Sequence, residues 1–121
     1  MSRIHILLVA ALAGLALAVA GAAQATSQIT QLSGTVGPGF TITLKEKGKA
    51  VKTLKAGKYR ITVKDKSSIH NFHLFGPGVN KKTTVPFIGT KVWTVTLKKG
   101  SYTYRCDIHF TVGMIGHFKV K

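Results

Sequence analysis

Along most of the chain the apolar residues recur at every second position. Phe40, Ile42 and Leu44 alternate with Thr41, Thr43 and Lys45; Tyr59, Ile61 and Val63 with Arg60, Thr62 and Lys64; Trp93, Val95 and Leu97 with Thr94 and Thr96. A period of two puts one face of a strand in a core and the other in water, whereas an amphipathic helix repeats at about 3.6. Turn formers punctuate the runs: Gly37-Pro38-Gly39, Lys47-Gly48, Ala56-Gly57, Gly76-Pro77-Gly78, Gly89 and Lys99-Gly100. Short strands at this spacing, with no helical window of useful length, predict an all-β antiparallel sandwich or barrel. One local repeat stands out. Leu-Lys-x-Gly-x-Tyr occurs at 54–59 and again at 97–102, each time a turn feeding a strand, as if two corners were built alike.

The first residues break this pattern. Met1-Ser2-Arg3 is a short basic start, Ile6 to Ala23 is an uncharged apolar run, and Ala23-Gln24-Ala25 fits a small-x-small cleavage site. Residues 1–25 therefore read as a secretory signal peptide removed after Ala25. The competing reading, an uncleaved membrane anchor, is weakened by the abundance of Ala and Gly in the run. No Cys follows the cleavage site to take a lipid, and no twin-Arg pair is present. Residues 26–121 are expected to form one small domain in a secreted or periplasmic setting.

Charge narrows the field. The chain has 18 Lys and Arg against three acids, a net +15. Two accounts of this weigh equally: lysines guarding sheet edges and aiding solubility, or attraction to an acidic partner protein or an anionic cell surface. Nucleic acid is disfavoured: only Arg60 and Arg105 accompany the domain's lysines, and no binding motif occurs. Paired-carboxylate hydrolysis is disfavoured as well, since Glu46, Asp65 and Asp107 are far apart in sequence. The stretch from Asp65 to His70 holds Asp, Ser and His, but a triad is defined by geometry, not crowding.

Strand parity sorts the remaining chemistry. Tyr102, Tyr104 and Cys106 share a face, and the two aromatics mark it as the core face. His70, Phe72 and Leu74 share another inward face, with Asn71 and His73 opposite. After the 106–114 loop, Met114, Gly116, Phe118 and Val120 point inward and His117 outward. His70, Cys106, His109 and Met114 thus form one candidate cluster, with His73 and His117 left at the surface. Two imidazoles, a thiolate and a thioether make a soft nitrogen and sulfur set, and a trigonal His₂Cys site with a weak axial Met is the blue copper arrangement. Zinc favours more thiolates, and calcium and magnesium want oxygen. Copper matches best. It also explains a single Cys in an exported chain, which cannot form an internal disulfide. The alternatives are a buried Cys acting as apolar filler and a Cys106–His109 nucleophile pair lacking a third orienting group.

The segment Cys106-x2-His109-x4-Met114, after an aromatic strand and before Ile115-Gly116-His117-Phe118, resembles the copper loop of plastocyanin and pseudoazurin, and His70-Asn71 resembles the upstream His-Asn of those cupredoxins. The resemblance covers residues 69–120. It implies a Greek-key sandwich of about eight strands holding one type 1 copper. His70, Cys106 and His109 would be the strong ligands and Met114 the long axial one. Asn71 would tie the two ligand loops by bonding near Asp107, and its backbone N–H would donate to the Cys106 sulfur. Ile108 stands where family members often have Pro. Ile108, Phe110 and Val112 are the expected docking patch around the outer edge of His109, with lysines nearby drawing in acidic redox partner proteins. The resulting expectation is an exported, monomeric electron carrier and not an enzyme. A copper-trafficking protein without an electron-transfer role is the alternative, and a structural module keeping only the fold is a third reading.

Overall fold

The computed structural model describes Gly14 and residues 28–121. Apart from Gly14, the expected signal segment 1–25 lies outside the described residues, and among those described no helix is long and apolar enough to cross a membrane. Ten strands follow in order among the described residues: β1 (Thr30–Val36), β2 (Ile42–Glu46), β3 (Lys49–Ala50), β4 (Thr53–Leu54), β5 (Gly57–Asp65), β6 (His73–Gly76), β7 (Val79–Lys82), β8 (Gly89–Leu97), β9 (Gly100–Arg105) and β10 (Ile115–Val120). They form two five-stranded sheets, ordered β3-β2-β1-β5-β8 and β4-β10-β9-β6-β7. The all-β sandwich is as expected.

Two details differ. There are ten strands and not about eight, because β3 and β4 are two-residue strands too short to leave a periodic signature. The sheets are also mixed, since β1 runs parallel to β5 and β4 parallel to β10. Alternation reports only which face is buried and carries no information about a neighbour's direction. Parallel partners need a long connection, and β2 to β4 supply it between β1 and β5.

The buried faces coincide with the alternating positions. Leu32, Leu44, Ile61, Val63 and Leu97 from one sheet meet Leu74, Tyr102, Tyr104, Phe118 and Val120 from the other, with Phe72 between them. Tyr102 stacks on Phe118 at 5.2 Å and Tyr104 on Phe72 at 5.9 Å. Gly116 lies directly against the Tyr104 ring, where any side chain would collide. Phe40 departs from expectation. It precedes β2 and is 58% exposed, because the Gly37–Gly39 turn delays the start of the strand.

The sequence repeat is a structural repeat. The Tyr59 hydroxyl donates to the Lys55 carbonyl at 2.7 Å, and the Tyr102 hydroxyl to the Lys98 carbonyl at 2.9 Å. Both intervening glycines adopt positive φ, 152° at Gly57 and 148° at Gly100, which a side chain would resist. These corners lie at one end of the sandwich. At the other end β1, β5 and β9 finish and β8 and β10 begin, so the loops 37–41, 66–72, 83–88 and 106–114 converge there.

Candidate metal centre

Cys106 immediately follows β9, and its N–H donates to the Met114 carbonyl at 3.0 Å, closing the 106–114 loop at its base. Within the loop the His109 carbonyl accepts from Val112 N–H at 3.1 Å and Met114 N–H at 3.3 Å. A 3₁₀ turn spans Phe110–Val112, and Gly113 ends it in the left-handed region at φ 100°. This tight turn swings the His109 ring back over Cys106. The other candidate, His70, sits between β5 and β6, where Ile69 N–H donates to Ser67 Oγ and Ser67 N–H to Asp65 Oδ1.

The folding of these two segments brings three ligand-type atoms together. His70 Nδ1 and His109 Nδ1 are 2.9 Å apart, and Cys106 Sγ lies 3.8 Å from the first and 3.7 Å from the second. The point in their plane equidistant from all three is about 2.0 Å from each, matching a metal–imidazole bond of roughly 2.0–2.1 Å and slightly short of a metal–thiolate bond of roughly 2.3 Å. An ion fits between them with little movement. His70 and Cys106 are fully buried and His109 half-buried. Met114 is fully buried at the base of the same loop.

Burial, and then the neighbouring His109, push the His70 pKa down, with Asp65 opposing weakly. The ring is therefore held neutral and keeps a lone pair for a metal. Its Nε2 is buried without a hydrogen-bond partner; the Gly39 carbonyl pulls weakly on the ring's proton but lies outside hydrogen-bonding geometry.

A polar frame holds these loops. Asp107 N–H donates to Asn71 Oδ1 at 2.8 Å, and Asn71 Nδ2 donates to Asp107 Oδ2 at 3.0 Å and to the Thr83 carbonyl at 3.3 Å. Asp107 also meets His73 Nδ1 at 2.8 Å and Arg105 Nε at 3.1 Å. Burial works to raise the Asp107 pKa, but hydrogen bonds from His73, Asn71 and Arg105 outweigh it and hold the carboxyl below its ordinary value. Deeper in, Phe72 N–H donates to Thr83 Oγ1, which donates to Asp65 Oδ2 at 2.7 Å. Burial raises the Asp65 pKa despite that bond.

The expected clasp between Asn71 and Asp107 is present. The expected bond from the Asn71 backbone to Cys106 Sγ is not among the hydrogen bonds formed; the sulfur meets the two imidazoles. His73 is tied at both nitrogens, to Asp107 and to Asn80 Oδ1 at 2.6 Å, and exposed His117 meets the Thr103 hydroxyl. Around His109, Ile108 is 53% and Val112 64% exposed. Phe110 is half-buried with the Arg105 guanidinium 4.2 Å above its ring. Phe40 was not anticipated at the site, yet its ring packs edge-on against both His70 and His109 at 4.9 Å. The turn just before it was the signal that placed it in a loop. Of the four converging loops only 66–72 carries a lysine, Lys66; Lys82, opposite His73, and Lys91, its ammonium 4.8 Å from the Phe87 ring, stand on the adjoining strands.

No protein-family model matches the chain, and no curated protein does either. Solved structures do. Reduced rusticyanin matches at 23% identity over 75% of this chain and 78% of its own, with a TM-score of 0.58. Rusticyanin from Thiobacillus ferrooxidans matches at 25% identity over 75% and 76%, TM-score 0.52. Dithionite-reduced auracyanin from Roseiflexus castenholzii matches at 20% identity over 76% and 97%, TM-score 0.55. Rusticyanin is described as a copper protein. The chain has the cupredoxin fold.

Proposed function

We propose that the protein is an exported type 1 copper protein that carries single electrons between redox partner proteins. The observation that supports this most strongly is the triangle of His70 Nδ1, Cys106 Sγ and His109 Nδ1, sized for one ion and shut inside a rigid sandwich end. Nitrogen and thiolate donors without a carboxylate favour copper or zinc over calcium or magnesium, and a buried thioether at Met114 tips the choice to copper. Bound copper would supply a centre that alternates between Cu(II) and Cu(I). In this reading His70, Cys106 and His109 would be the strong ligands and Met114 a weak fourth one.

The chain's own residues would limit rearrangement between the two states. The clasped loops resist movement of the ligands, and the apolar shell keeps water out, both of which tune a redox site. His109, half-buried between exposed Phe40, Ile108 and Val112, is the natural exit for the electron. A lone copper held by these four side chains would leave no coordination position for a substrate, so we assign no enzymatic activity. Export through residues 1–25 follows from their sequence pattern, and a thiolate copper site suits an oxidising compartment.

The test is spectroscopic. Cu(II) added to the purified protein should give an intense thiolate-to-copper absorption band and a matching EPR signal, both lost in Cys106→Ser and retained in His73→Ala and His117→Ala. A colourless complex that holds Cu(I) tightly would instead establish copper trafficking and end the electron-carrier reading.

A further inference from the structure

The two ends of the sandwich differ sharply in charge. The four loops at the metal end carry Lys66 and the internally paired Asp107 as their only charges besides histidine, with Lys64, Lys82 and Arg105 on the adjoining strand ends. At the opposite end, Lys52, Lys55, Lys58, Lys98, Lys99 and Lys121 are all exposed, and no ion pair forms with any of them among the described residues. Backbone bonds gather this end: Ala56 N–H donates to the Lys121 carbonyl, Lys121 N–H to the Leu54 carbonyl, and Gly57 pairs with Leu97 beside the Lys98–Lys99 turn. Glu46, lining the same cleft as Lys55 and Lys58, is the one acidic side chain nearby.

We infer that this lysine end docks on an anionic lipid bilayer and holds the metal end outward. Two observations select a bilayer over a single acidic protein. The six are all lysine, with Arg60 the nearest arginine two residues along β5 from Lys58, and lysine is a strongly hydrated, flexible point charge suited to a fluid array of headgroups, whereas protein interfaces favour arginine. Next, the exposed large apolar residues Phe40, Ile69, Ile88, Val92, Ile108 and Val112 all lie elsewhere, so this end lacks the apolar anchor that a specific protein interface buries. The electrostatic attraction does not depend on a metal. Only the benefit, a redox site left open to partners, rests on the proposed function.

Co-sedimentation of the copper-loaded protein with phosphatidylcholine vesicles containing about one-third phosphatidylglycerol tests this. Binding should be clear at low salt, fall steeply at high salt, and be absent on pure phosphatidylcholine. Each lysine near such a surface is worth roughly a fivefold change in affinity. Replacing Lys55, Lys98, Lys99 and Lys121 together by Glu should therefore weaken binding by on the order of 100-fold or more. The same four-charge reversal at Lys64, Lys66, Lys81 and Lys82 should cost less than about tenfold. Equal losses in the two variants, no binding by the native protein, equal binding to neutral vesicles, or capture by an acidic polysaccharide but not by vesicles would each overturn the inference. The copper absorption band, read on the same samples, keeps this outcome separate from failure of the metal assignment.

Discussion

Asn71 and Asp107, 36 residues apart and each directly following a candidate ligand, clasp one another twice: Asp107 N–H to Asn71 Oδ1 at 2.8 Å, and Asn71 Nδ2 to Asp107 Oδ2 at 3.0 Å. A backbone donor and a side-chain acceptor on one loop thus meet their complements on the other. The distance between His70 and Cys106 is thereby fixed by neighbours that touch no metal. Asn71 is 3% exposed, so water cannot easily replace either bond.

Asn71→Ala should expose what that clasp contributes. It removes both bonds to Asp107 and the one to the Thr83 carbonyl, and leaves the part-buried Asp107 N–H without its acceptor. A loss of about 2–3 kcal/mol in urea unfolding is expected, together with faster metal loss. A change below about 0.5 kcal/mol would mean that the two loops are positioned by something else.

Phe40 presents the opposite case, a residue that covers the candidate ligands while contributing little to the core. Its ring is 58% exposed but sits edge-on to both imidazoles. Phe40→Ala should reduce stability by no more than about 1 kcal/mol, because the ring buries little of its area. Extraction of the metal by a chelator should accelerate several-fold, since the apolar cover controls access of solvent to such a site. An unchanged extraction rate would show that access runs through another face.

The contrast between these residues shows what the sequence could reveal. Burial of Cys106, His70, Tyr102, Tyr104 and Met114 followed from parity, because a pleated strand offers each side chain only two directions. The same rule could not see that β1 and β5 run parallel, nor detect the two-residue strands β3 and β4. Phe40 was assigned to an inward face because it continued an alternation, although the Gly37–Gly39 turn had already interrupted the strand. The Asp65–Thr83–Phe72 chain of hydrogen bonds was illegible for another reason. It joins residues from separate elements whose types are common in loops, and only the packed fold selects them.

The paired tyrosine corners allow a graded comparison. Tyr59 makes one hydroxyl bond, to the Lys55 carbonyl. The Tyr102 hydroxyl accepts from Lys98 N–H at 2.9 Å and is shared as donor between the Lys98 and Pro77 carbonyls, with the residue 1% exposed. Tyr59→Phe should cost about 1 kcal/mol and Tyr102→Phe about 2–3 kcal/mol, because the second removes more bonds and also strips the part-buried Lys98 N–H of its acceptor. Thermal or urea unfolding would measure both. Equal costs would show that the additional bonds at Tyr102 contribute nothing to stability.

Acid should separate the two carboxylates at the site end, because their pKa values move in opposite directions. Asp107 is held below 3.8 by His73, Asn71 and Arg105 against the effect of burial. Its ionised form therefore stabilises the fold; that contribution is complete above pH 3.8 and is lost as pH falls through the depressed value. Asp65 is raised above 3.8, chiefly by burial, so its ionised form costs the fold, and acidification from its raised value down to 3.8 relieves that cost. Asp107→Asn should accordingly lower stability at neutral pH by about 1–2 kcal/mol, the carboxylate being partly exposed and so partly screened. The deficit should shrink toward zero below pH 3.8, as the native carboxyl also becomes neutral. Asp65→Asn should show the reverse trend, its stability relative to the native protein being most favourable at neutral pH and declining as pH falls toward 3.8. Urea titrations from neutral pH to well below 3.8 would measure both curves. A deficit for Asp107→Asn that stayed constant across that range would show that its bonds act through shape alone, with no contribution from charge.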